Sequence, residues 1–127
     1  MSVLKIIADE MDALKINYDF EEWKGKPIYP YFTGEYQEPE SLDEDGEQEI
    51  QFILNGFARG SNAHADLEEA KNKIKKHFPN IGGRLATTES GSRVAIFYAN
   101  TLGNLPTGDA ELKRIQINLK IKEWSVE

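Results

Sequence analysis

In the stretch RIQINLKIKEW, Ile115, Ile117, Leu119 and Ile121 alternate strictly with Arg114, Gln116, Asn118, Lys120 and Lys122. That period of two predicts a strand with one buried and one wet face. A different period opens the chain. Leu4, Ile7, Met11 and Leu14 recur at spacings of three and four, widened by Val3 and Ile6, and predict a helix over 2–15 with Ser2 at its cap. Tyr18 and Phe20 then alternate with polar neighbours as a short strand, and Gly25-Lys26-Pro27 reads as a turn. IYPYFTGEYQ, residues 28–37, reads as an aromatic strand. Its Pro30 has no N–H to give, which places it at a sheet edge or a strand start.

IQFILNGFA, residues 50–58, carries Ile50, Phe52 and Leu54 on one face and Ile53 and Phe57 on the other. Apolar positions on both faces predict a central strand, with Gly56 marking a bulge. A second helix follows over 61–78, its buried stripe formed by Leu67, Ala70, Ile74 and Phe78. Ser61 or Asn62 caps its start, its acids come early and its lysines late, as the helix dipole favours. Pro79 and Gly82-Gly83 end it. Strands over 84–88 and 93–99 flank the turn Glu89-Ser90-Gly91-Ser92, and 100–109 is a loop rich in turn formers. The order helix, three strands, helix, three strands predicts an α+β fold. Its sheet is mostly antiparallel, joined largely by hairpins, with two helices packed on one face as an α/β sandwich.

With 127 residues the chain has the length of one domain, and two would each lack a core. Its net charge of −7 argues against a free-standing DNA binder, because such binding rests on neutralising phosphates. The four lysines of 71–76 read as a solvated helix face. Absence of cysteine excludes disulfides, a thiol nucleophile and thiolate metal sites. No apolar run has the length of a signal peptide or a membrane span, so a soluble protein made in the cytoplasm is expected.

EPESLDEDGEQE, residues 38–49, holds seven acids in twelve positions. Aligned as a calcium loop it offers Ser41, Asp43, Asp45 and Gly46, but its twelfth position is Phe52, inside a strand. Asp45-Gly46 between two apolar runs reads instead as the turn of a long charged hairpin arm. His64 and Glu68 share a helix face, yet two ligands do not make a closed metal site. Ser90 and Ser92 lie in no nucleophile elbow, and no helix follows Gly82-Gly83 to form a phosphate loop. Tyr29, Tyr31, Phe32 and Tyr36 would stack bases on an RNA-binding sheet, but no basic residues adjoin them, so packing is the expected role. No catalytic residue, metal or cofactor is assigned.

The long hairpin arm, a central strand running directly into an amphipathic helix (IQFILNGFARGSNAHADLEEAKNKIKKHF) and a terminal hairpin ending in KRIQINLKIKEW give the chain a characteristic layout. It resembles the tail terminator or tail-completion proteins of long-tailed phages and prophages over nearly its whole length. The resemblance implies a non-enzymatic α/β sandwich that forms a hexameric ring with copies of itself. That ring caps the major tail tube protein and offers a surface to the head–tail connector protein, with DNA only as passing cargo and no membrane contact. It places the protein in the virion tail or neck, made in the host bacterial cytoplasm. Glu38, Glu40, Asp43, Glu44, Asp45 and Glu47 would then line the channel or reach a neighbouring subunit.

Two other classes compete. A stand-alone bacterial module would bind a ligand or protein through the aromatic strand 28–37. A small enzyme would use His64 with nearby acids in a pocket beside the second helix.

Overall fold

A computed structural model describes residues 2–37, 47–88, 91–103 and 105–124. The elements are α1 (Ser2–Ala13), β1 (Asn17–Phe20), β2 (Tyr31–Gln37), β3 (Glu47–Arg59), α2 (Ala63–His77), β4 (Arg84–Thr87), β5 (Arg93–Leu102) and β6 (Leu112–Trp124). They form one six-stranded sheet in the order β1-β2-β3-β6-β5-β4, with both helices packed against one face. The fold is α+β, as the sequence pattern implies.

The alternating strand of the opening observation becomes β6, at the middle of the sheet. It pairs antiparallel with β3 along the full 13-residue length of both strands, from Glu47 opposite Trp124 to Arg59 opposite Leu112. Ile117, Leu119 and Ile121 are buried against the helices, and Phe52, Leu54 and Ala58 of β3 lie beside them. The α1 stripe centres on Val3, Ile7 and Met11, one turn apart and fully buried, with Leu4, Ile6 and Leu14 at its margins. In α2 the expected Leu67, Ala70, Ile74 and Phe78 all enter the core. Asn62 stands at the N-cap without a side-chain bond, and backbone closes that end through Ala63 N–H to Gly60. At the other end Phe78 N–H bonds Ile74 and the Phe78 carbonyl accepts Tyr98 N–H at 3.0 Å, tying helix to sheet.

Three features depart from the sequence pattern. First, β1 and β2 pair in parallel, Asn17 with Tyr31 through Phe20 with Gly34. Residues 21–30 are therefore a crossover rather than a hairpin. Asn17 Nδ2 anchors its return, donating to the carbonyls of Ile28 and Pro30. Pro30 directly precedes β2, the strand-start alternative, after a cis Tyr29–Pro30 bond.

Second, Gly56 is not a bulge, since the pairing runs through it without a shift. It lies opposite Phe32, whose ring fills the space a side chain would take. A Cβ there would stand 2.4 Å from the ring. Gly34 plays the same part for Phe52, with a Cβ position 2.7 Å from that ring and 2.5 Å from the Tyr18 hydroxyl. Two neighbouring strands thus each give up a side chain so that the other's phenylalanine lies flat on backbone. Third, the bulge is at Ala99, between the pairs Tyr98–Leu119 and Asn100–Asn118. It carries β5 on to Leu102, through residues that composition assigns to a loop.

Gly56→Ala is expected to destabilise the domain by about 1–3 kcal/mol through overpacking. Phe32→Leu in the same molecule should make the loss smaller than the sum of the single effects, read from urea unfolding of the three variants. Leu119→Asp places an unpaired charge in the core and is expected to leave the chain unfolded by circular dichroism.

Candidate interface on the uncovered face of the sheet

Side chains alternate across a strand, so every residue between the core positions points away from the helices. At one end of that opposite face an aromatic group assembles from three segments. Tyr31 of β2 stacks on Phe57 of β3, ring centres 5.1 Å apart at 25°. Trp23 from the crossover lies 5.1 Å from Tyr31, and Tyr29 lies 5.6 Å from it. Burial in this group, with the Tyr29 phenol beside it, pushes the Tyr31 hydroxyl above the usual tyrosine range. Arg59 caps the cluster, its guanidinium 5.9 Å from the Tyr29 ring centre, while its Nη2 donates to Asp109 at 2.8 Å. That bond holds the Asp109 carboxyl below the ordinary carboxylate range, helped by the Glu111 N–H.

Across the middle of the face, around Ile53, polar side chains bond one another, although Arg114 Nε is buried with no hydrogen-bond partner among the described residues. Arg114 Nη2 donates to Asn55 Oδ1 at 2.9 Å, and Asn55 Nδ2 reaches Glu35 at 3.4 Å. Gln116 donates to Asn118 at 3.1 Å, and Asn118 donates to Asn100 at 2.7 Å. The Ala99 bulge matters here, because it turns Asn100 onto the same face as Asn118. Asn55 is only 9% exposed although no helix covers it, since its long neighbours close over it.

The aromatic strand of the sequence does not act as one surface. Phe32 goes into the core, and Tyr36 packs toward the helices against Phe20 at 5.9 Å. Only Tyr29 and Tyr31 reach the uncovered face, where Trp23 and Phe57 join them. Phe57 was legible as an off-core position by alternation. The approach of Trp23 depends on the parallel crossover, which no local pattern encodes.

Of the acidic positions, Glu38, Glu40, Asp43, Glu44 and Asp45 lie outside the described residues, as does the Asp45-Gly46 turn. Glu47 opens β3, its backbone opposite Trp124. His64 is exposed on α2. Among the described residues no three His, Asp or Glu side chains gather as a metal site, and no helix is long and apolar enough to cross a membrane.

The second histidine has a different neighbourhood. His77 Nε2 lies 2.6 Å from one oxygen of Glu10, and Arg84 Nε donates to the other at 2.9 Å. One carboxylate therefore ties α1 to the end of α2 and to β4. Burial alone would raise the Glu10 carboxyl. The hydrogen bonds from Arg84 and His77, with the charge behind them, outweigh burial and hold it below its ordinary value. A lowered carboxylate pKa stabilises the fold above the unfolded value, and that contribution disappears as pH falls through the folded one. Glu10→Gln is expected to cost about 1–2 kcal/mol at neutral pH. The difference from the unsubstituted protein should narrow on acidification, as thermal melts across that pH range will show.

No protein-family model matches the chain, and no curated protein sequence matches it.

Proposed function

We propose that the chain is a structural subunit of the tail end of a long-tailed phage or prophage, working as a hexameric ring between the tail tube protein and the head–tail connector protein. The observation that carries this reading is the one-sided sheet. Its uncovered face holds stacked aromatics at one end and interlocked amides in the middle. Large, rigid rings with polar surroundings are the composition of interface centres. The layout of central strand, helix and long closing strand gives the reading its direction. The polar clusters among the described residues are spent on each other, Glu10 on His77 and Arg84, Asn55 on Arg114 and Glu35, which suits a framework rather than catalysis. DNA passes through as cargo. In this role Glu38, Glu40, Asp43, Glu44, Asp45 and Glu47 face the channel or an adjacent subunit, in a virion assembled within the bacterial host.

The DNA flanking the gene tests the reading directly. Neighbours encoding a portal, a connector, an abundant tube protein and one very long helical protein are expected. Metabolic or regulatory neighbours would remove the tail end from consideration. Converting the six acids to their amides is expected to leave the melting temperature within a few degrees and to lower incorporation into tails, scored by electron microscopy. Full incorporation would show that these acids make no assembly contact.

The aromatic group favours a second reading, a module that binds a partner on Trp23, Tyr29, Tyr31 and Phe57. A ligand there would change Trp23 emission, and the change should vanish in Tyr31→Ala.

A further inference from the structure

Among the described residues both edges of the sheet are free of a strand partner on one side, β1 at one end of the order and β4 at the other. Following the pairings across the sheet fixes their relative direction. β2 runs against β3 and β1 runs with β2, while β6, β5 and β4 alternate in turn, so β1 and β4 point the same way. A two-fold axis would bring like edges together antiparallel. A rotation that carries one subunit to the next around a ring instead brings β4 of one copy beside β1 of the following copy, parallel. Such a head-to-tail contact closes into a ring when the rotation permits.

The two edges are also staggered. Asn17 to Phe20 lie level with Phe57 to Leu54 of β3, through β2. Arg84 to Thr87 lie level with Ile50 to Glu47, through β5 and β6. With a rise of about 3.3 Å per residue and a strand spacing of about 4.8 Å, joining such edges tilts the strands about 40° from the ring axis. Closed sheets tilt by roughly this amount.

Exposed apolar side chains flank both edges. Leu85, on β4, is 75% exposed, and Ile81 just before it is 88% exposed. At the other edge Ile28, whose carbonyl is held by Asn17 of β1, is 59% exposed. The charges agree with a parallel contact. Arg93 lies one strand behind the end of β4, and Glu21 and Glu22 follow the end of β1, so matching ends bring opposite signs together. Lys15 and Arg84 stand at the other ends with like charge, but Arg84 is already bound to Glu10 of its own subunit.

Resting on the ring reading above, we infer that copies of this chain join edge to edge, β4 of one beside β1 of the next, to make a sheet continuous around the assembly. The chain has no cysteine, so introduced thiols report without background. Asp19 and Leu85 both lie on the uncovered face, by their pairing with Thr33 and Ala95. The double variant Asp19→Cys/Leu85→Cys, treated with a short bifunctional thiol reagent, is expected to give a ladder of covalent oligomers. Each single variant should stay monomeric on a denaturing gel. Dimers from either single variant, as strong as the ladder, would mean like edges meet and would overturn the inference. A double variant without a ladder overturns it too. If the unmodified protein still sediments as a ring, the ring reading survives with a different interface. Ile28→Cys/Ile81→Cys, both at exposed positions, repeats the test should the first pair disturb folding.

Discussion

Everything in this molecule is arranged around the pairing of β3 with β6. Thirteen residues of each strand face one another without a break, so both strands keep their alternation in step from end to end. That shared register puts Phe52, Leu54, Ile117, Leu119 and Ile121 on the helix side, and Ile53, Phe57 and the amides Asn55, Gln116 and Asn118 on the other. The outer strands and the helices add to this pair. β2 and β1 extend it on one side, β5 and β4 on the other, and α2 crosses back over it. A slip of one residue here would turn the core outward, which is why neither strand carries a bulge while β5, one place removed, does.

The same pairing explains why one face stays open. The described residues form two helices, and both are consumed by the apolar side. On the opposite side the sequence supplies its own cover: long polar residues that close over Asn55, and rings from the crossover and β3 that close over Tyr31. On such a surface aromatic area is gathered in one place and the amides around it are held still by each other. The clamp on the helix side works to the same end. Glu10 fixes α1 against α2 and β4, so the framework behind the open face is rigid.

Much of the fold was legible in the residues. Strict alternation named β6, the three-and-four spacing named both helices, and apolar positions on two faces marked β3 as central. What escaped had non-local causes. The parallel pairing of β1 with β2 depends on how residues 21–30 return across the sheet, and Gly25-Lys26-Pro27 reads as a turn in either topology. Gly56 looked like a bulge because a lone glycine in a strand has two meanings, and only the position of Phe32 decides between them. The Ala99 bulge has no glycine to announce it. At the site the division is similar. Phe57 and the amides of β6 were placed on the outer face by period alone, whereas the meeting of Trp23 with Tyr31, and of Glu10 with His77 and Arg84, belongs to tertiary structure.

The distance in sequence between β3 and β6 has a consequence for how the protein is born. As the chain leaves the ribosome, β3 emerges with β2 and then α2, but the strand that must lie along its other edge is made much later. Through that interval a long apolar strand stands with its backbone groups unpaired, the kind of edge that recruits strands from other chains. Contacts of such sequence separation also form slowly. The α2 helix, formed locally, joins α1, which emerges earlier still, in shielding the apolar side. Its lysines face outward meanwhile and keep the unfinished protein in solution.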